Sequence, residues 1–154
     1  MSKESQSITD LLRASGLQAT APRHAVLDWL DKHPHATAQQ VHAGARKRLG
    51  TLSRQAAYDV LSACVAAGLV RQIRPAGHPA HFERRAGDNH HHLVCRDCGR
   101  IEDSACRNPP APCLQPEQDH GFAIDEAEIV FWGLCRECRG RAATTDESNS
   151  SDTM

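Results

Sequence analysis

The sequence predicts an α+β fold in two parts, helices first and strands after, and three observations lead to it. Apolar residues recur at helical spacing through the first 67 residues and in short strand-like runs after about residue 90. Charge changes sign along the same line: residues 1–85 hold 12 Lys and Arg against 6 Asp and Glu, whereas residues 86–154 hold 6 against 13. The formal net charge of -1 conceals this division, which points to two regions with different tasks. Four of the seven cysteines form two Cys-x-x-Cys pairs, both in the acidic part. With 154 residues, 4% aromatic content, no run of 18 apolar residues and no charged-then-apolar leader pattern, the expectation is a cytoplasmic protein without a membrane span. Cysteines in such a compartment stay reduced, so metal binding or redox chemistry is expected in place of a disulfide scaffold.

The basic part opens with an amphipathic helix over Ser7–Ala14 that carries Ile8, Leu11 and Leu12 and stops at Gly16. A second helix begins at Pro22, a favoured first helical residue, with Val26, Leu27 and Leu30 on one face. Thr37 with Gln40 three residues on is a capping-box pattern opening a third helix through Leu49, its apolar positions Val41, Ala45 and Leu49. Ser53 caps a fourth helix through Ala67, with Ala57, Val60, Leu61, Cys64 and Val65 as its stripe and Gly68 at its end. Leu69–Ile73 and Ala80–Glu83 around Pro75-Ala76-Gly77 form a small hairpin.

Short helices followed by a two-stranded wing predict a winged helix-turn-helix, whose last helix enters the major groove of DNA. Ser53, Arg54, Gln55 and Tyr58 then stand at the base edges, and Arg46, Lys47, Arg48, Arg71 and Arg74 at phosphates. The competing reading is a solvated basic face on an ordinary helical domain. Residues 84–89 are polar and predict a hinge, so the first domain is set at residues 1–85. Beyond it, His92–Cys95, Arg100–Asp103 and Ala123–Phe131 are predicted strands, with a helix between Cys113 and His120 and a loop over residues 108–112. This second domain spans residues 86–141, and the Thr-, Ser- and acid-rich residues 142–154 are predicted to be a disordered tail.

Cys95, Cys98, Cys135 and Cys138 supply four sulfur ligands from two tight turns, the donor set of a closed tetrahedral zinc site. The competing reading is a dithiol redox motif, which two pairs in one small domain disfavour. On a strand, His90 and His92 share one face and His91 takes the other. Alternate histidines can share a metal, with Glu83, Asp103 and His35 as further donors, although three consecutive histidines are also compatible with a solvated polar strand.

Thr20-x-Pro22-Arg23, His35-x-Thr37, Ser53-Arg54-x-Ala-Ala57-Tyr58-x-x-Leu61, Gly68-Leu69-Val70, His90-His91-His92-x-x-Cys95-x-x-Cys98-Gly99 and Cys135-x-x-Cys138 resemble the ferric-uptake-regulator family of bacterial metal-dependent repressors, from about Leu11 to Cys138. The resemblance implies an N-terminal winged helix joined to a C-terminal α/β dimerisation domain with a four-cysteine structural zinc. It also implies a regulatory iron(II) or manganese(II), with zinc or nickel as competitors, held by His35, Glu83, His90, His92 and Asp103. It adds Arg23 to the DNA-binding residues. Asp103, where iron-uptake members carry Glu, resembles the peroxide-sensing branch, in which an iron-ligating histidine, here His35 or His90, is oxidised. Asp88–His92, Asp125–Glu128 and Trp132–Cys135 resemble the actinobacterial redox-responsive subgroup associated with catalase-peroxidase control.

The expected function is a homodimeric, peroxide- or redox-responsive transcriptional repressor that binds a palindromic double-stranded operator and turns over no substrate. An iron- or zinc-homeostasis repressor of the same family is the alternative within the class. A zinc enzyme using Glu83, His90 and His92, or a zinc-ribbon interaction module, is the alternative outside it. Gln18 and Asp59 depart from family usage and point to a different operator. Ala127 stands where a second dimerisation-domain metal site needs histidine, so that site is not expected, although His91 and His120 remain available as ligands. Cys106 and Cys113 are candidate redox thiols, and Cys64 is expected in the core.

Overall fold

The computed structural model describes residues 3–85, 90–105, 115–124 and 127–148, and the chain divides into two compact units. Unit 1 is Met1–Arg74 with Pro79–Ala86, and unit 2 is Pro75–His78 with Gly87–Met154.

Unit 1 contains α1 (Lys3–Ala14), α2 (Ala21–Lys32), β1 (Ala36–Thr37), α3 (Ala38–Leu49), α4 (Arg54–Ala66), β2 (Val70–Ile73) and β3 (His81–Arg84). Each start has a local cause. The Thr20 hydroxyl accepts from the Arg23 amide at 3.4 Å, and the Ser53 hydroxyl accepts from the Ala56 amide at 3.0 Å. Thr37 and Gln40 complete the capping box in both directions, at 3.3 and 2.9 Å. Gly50, in the left-handed region at φ 82°, ends α3. Leu12, Val26, Leu27, Leu30, Val41 and Leu61 are fully buried where the four helices meet, each burial stabilising the unit by about 1.5–3 kcal/mol. Cys64 lies in this core as expected, and burial pushes its thiol above the ordinary range.

The wing has three strands in the order β1-β3-β2, all antiparallel. The two-residue β1, pairing Ala36 with Phe82, was not predicted, because two residues cannot show a period. Helix α1 begins at Lys3, ahead of the predicted Ser7, since its first turn is polar and carries no apolar spacing.

Gly44 fixes the contact of α3 with α2. A Cβ there would lie 2.0 Å from Trp29 Nε1, and the indole is stacked on His33 with ring centroids 4.1 Å apart. Gly44→Ala is therefore expected to destabilise unit 1 by about 1–3 kcal/mol and to shift the Trp29 emission, despite the better helix propensity of alanine. Thermal melts followed by tryptophan fluorescence check this; an unchanged or raised midpoint contradicts it.

Unit 2 is built on β4 (His90–Cys95), β5 (Ile101–Ala105) and β6 (Val130–Gly133), ordered β5-β4-β6, followed by α5 (Arg136–Ser148). β4 runs antiparallel to β5, with His92 opposite Asp103, and parallel to β6, with Cys95 beside Gly133. Three expectations are corrected. The last strand starts at Val130 and not at Ala123, where the alternation of apolar residues was already imperfect. Residues 115–119 are not helical, since this run of Gln, Pro, Glu, Gln and Asp has no aliphatic side chain to pack and short helices need tertiary packing; Cys113 itself lies outside the described residues. Residues 142–148, predicted as tail, continue α5, whose Ala142 and Ala143 are strong helix formers. The predicted hinge residues 86–89, the loop 108–112, Cys106 and residues 149–154 lie outside the described residues.

Candidate metal centres and nucleic-acid surface

β4 delivers Cys95 at its end, and the chain reverses immediately. The Cys95 amide donates to the Arg100 carbonyl at 2.9 Å, the Gly99 amide donates to the Cys95 carbonyl at 3.0 Å, and Gly99 adopts φ 77°. That turn holds Cys98 beside Cys95. The parallel partner β6 brings the second pair alongside, tied by the Arg96 amide to the Gly133 carbonyl at 2.8 Å. The Arg139 amide then donates to the Cys135 carbonyl at 2.9 Å and opens α5, on which Cys138 sits. All four sulfurs fall within 4.8 Å of one another, and Cys98 Sγ lies 3.8 Å from Cys135 Sγ. Four sulfurs about 2.3 Å from a tetrahedral zinc are separated by about 3.8 Å, so the donor set and its spacing fit that ion. The backbone amides of Cys135 and Cys98 push the Cys95 thiol down to about 6, and burial pushes the Cys138 thiol well up. All four sulfurs can be ionised together at this spacing only with a cation among them.

Two further groups pair histidine with carboxylate, one in each unit. In unit 1, His35 Nε2 is 3.0 Å from Glu83 Oε2, and Arg71 Nη1 is 3.8 Å from Glu83 Oε1. Glu83 is only 3% exposed. His35 has φ 63°, a left-handed conformation uncommon outside glycine, which turns the chain from α2 into β1 beside β3. In unit 2, His90 Nε2 and His92 Nε2 are each 3.5 Å from Asp103 Oδ1, and the two rings meet edge to face with centroids 5.0 Å apart. His92 is fully buried. Two ligands about 2.1 Å from one ion are separated by about 3.0 Å at a right angle and about 3.4 Å at the tetrahedral angle, so both groups have the spacing of metal donors. His91 points the other way and is buried apart from this group, as the period of two requires. His120 lies in a turn at φ 50°, outside any strand or helix.

The predicted DNA contacts sit at the start of α4. Tyr58 is 44% exposed, and Arg54 is exposed beside it. Gln55 Nε2 donates to Asp59 Oδ1 at 2.8 Å, and the Ser53 hydroxyl is engaged in the cap. Arg23 donates to the Gln18 carbonyl at 3.0 Å, fastening the turn before α2. The sequence reading missed Arg71 as a partner of Glu83, yet the two are directly opposed in the wing, and the hairpin register would have revealed it. It also missed the exposed apolar side chains Leu93, Phe131, Trp132 and Leu134, which border a cavity of about 440 Å³ on unit 2.

The family model "Ferric uptake regulator family" matches residues 14–131. The chain is 51% identical over 127 residues to "Transcriptional regulator FurA" of Mycobacterium tuberculosis, covering 82% of this chain and 86% of the relative. Among solved structures, the ferric uptake regulator of Pseudomonas aeruginosa with manganese is 27% identical with a TM-score of 0.65, covering 84% of this chain and 98% of that one. The Helicobacter pylori ferric uptake regulator has a TM-score of 0.68 at 19% identity, covering 88% and 93% of the two chains, and shares the fold. No helix among the described residues is long and apolar enough to cross a membrane. With more than half its length matched and a relative at this identity, the chain belongs to the ferric uptake regulator family, a family of transcriptional regulators and not of enzymes.

Proposed function

We propose that this chain is a cytoplasmic, metal-dependent repressor that binds a palindromic operator as a homodimer and is released by peroxide. The observation that carries the reading is the pairing of histidine with carboxylate at donor spacing in both units. His35 and Glu83, recruited to the same iron(II) or manganese(II) ion as His90, His92 and Asp103, would tie the helical unit to the strand unit. In a dimer such a tie sets the separation of two recognition helices, and only one separation suits half-sites on one face of DNA. A bound ion supplies charge and directional ligation; zinc and nickel could compete for these donors. The zinc assigned to Cys95, Cys98, Cys135 and Cys138 is structural. Arg23, Arg54, Gln55 and Tyr58 are proposed to face the operator, with Ser53 holding the helix start that presents them. The exposed apolar side chains of unit 2 offer a surface for the second copy.

Peroxide sensing rests on Asp103 and on iron(II) as the regulatory ion. One oxygen of hydrogen peroxide is inserted into a ring carbon–hydrogen bond of His35 or His90, and the other leaves as water. The modified ring no longer ligates, and the operator is released.

Two measurements test the reading. Retardation of a palindromic duplex from the gene's own upstream region should require manganese(II) and weaken steeply between 50 and 200 mM salt as phosphate contacts are lost. No retardation under any metal contradicts it and favours the zinc enzyme or interaction module. Peptide mass spectrometry after dilute peroxide should place one added oxygen on His35 or His90 with iron(II) but not with manganese(II). Intact histidines contradict histidine oxidation: with a new disulfide between Cys106 and Cys113 the switch moves to thiols, and with no modification at all a metal-homeostasis repressor is left.

A further inference from the structure

We propose that Arg141 is a positioning residue of the four-cysteine site, its guanidinium donating to the Cys138 sulfur and setting how tightly zinc is retained. The inference rests on the zinc assigned to that cluster. Arg141 lies one turn beyond Cys138 on α5, and its Nη2 is 3.4 Å from Cys138 Sγ. Residues three apart on a helix share a face, so the run Cys135-x-x-Cys138-x-x-Arg141 builds this contact into the sequence.

Charge gives the contact a purpose. Four thiolates around one divalent zinc leave a net charge of about −2, and a buried negative sulfur is costly unless a donor or cation meets it. Cys138 is almost fully buried. The acidic part of the chain has only six Lys and Arg, and five of them, Arg96, Arg100, Arg136, Arg139 and Arg141, flank the two Cys pairs. Arg100 is engaged with Glu102 at 2.6 Å, and the Arg96 guanidinium lies 5.9 Å from the centre of the Trp132 ring. Arg141 and Cys138 together line a cavity of about 460 Å³, so the guanidinium stands where small molecules would approach that sulfur. A charge-assisted hydrogen bond there draws electron density from the sulfur and holds Cys138 toward its three partners.

The test uses the full chain with Arg141→Ala and Arg141→Lys. Zinc affinity is measured by chelator competition, and the cobalt(II)-substituted proteins are examined for their sulfur-to-metal charge-transfer bands. Arg141→Ala is expected to bind zinc about 10–100-fold more weakly, with the cobalt band moved to lower energy as the sulfur becomes more electron-rich. Arg141→Lys, which keeps a cationic donor, should recover part of both changes. Affinity within twofold of the parent, or weakened binding with an unmoved cobalt band, would overturn the role of Arg141. A parent chain that binds neither zinc nor cobalt would overturn the zinc assignment and this inference with it.

Discussion

Cys95→Ser is expected to release all the zinc and unfold unit 2, while the helices of unit 1 stay folded. Among the described residues, unit 2 buries few apolar side chains besides its cysteines, chiefly Val94 and Ile101, too small a core to stand without a staple. Cys95 anchors that staple where β4 passes into the first Cys-x-x-Cys turn. A serine hydroxyl does not ionise near neutral pH and cannot replace a thiolate ligand. Zinc content should fall from one ion per chain to none, and amide exchange protection should vanish from β4 to β6 while persisting in α2 to α4. A folded, dimeric, zinc-free variant contradicts the structural role. The same residue gives a pH dependence. Because the folded Cys95 thiol sits at about 6, below the ordinary value of 9.0, its stabilising contribution is fully present above the ordinary value and is lost as pH falls through about 6. Zinc retention should therefore fall once pH drops below about 6, where protons compete with zinc for that sulfur.

His35→Ala is expected to abolish the metal dependence of operator binding and to spare the fold. Its side chain is partly accessible, and Glu83 keeps Arg71 beside it at 3.8 Å, so the substitution leaves no isolated buried carboxylate. Coupling between two ligands is typically 5–150-fold in affinity, and the variant should show none of it. Operator affinity measured with and without manganese(II), together with a melting midpoint near that of the parent, checks this. An undiminished metal effect removes His35 from the regulatory site.

Much of this architecture is legible in the sequence because its signals are local. Thr37 with Gln40, Ser53, Pro22 and the glycines fix helix ends within a few residues, and a Cys-x-x-Cys turn announces two sulfurs on one side of a knuckle. The spacing of His90 and His92 places both rings on one face of β4 before any coordinates are known. What escaped the reading depends on partners distant in the chain. Strand β1 exists only because Phe82 pairs with Ala36, and the late start of β6 follows its parallel register on β4. Gly44 reads as a poor helix residue until Trp29 is seen against it. Helix α5 outruns its polar composition, being joined directly to the second cysteine pair.

The central claim is that metal and operator are bound cooperatively by one chain, and the most direct measurement is the manganese(II) affinity of the protein alone and saturated with operator DNA. Linkage requires operator to tighten manganese binding at the dimer's two sites by a combined factor equal to that by which manganese tightens operator binding. A matching factor of about 5–150 is the predicted result, and manganese affinity unchanged by operator would contradict the account.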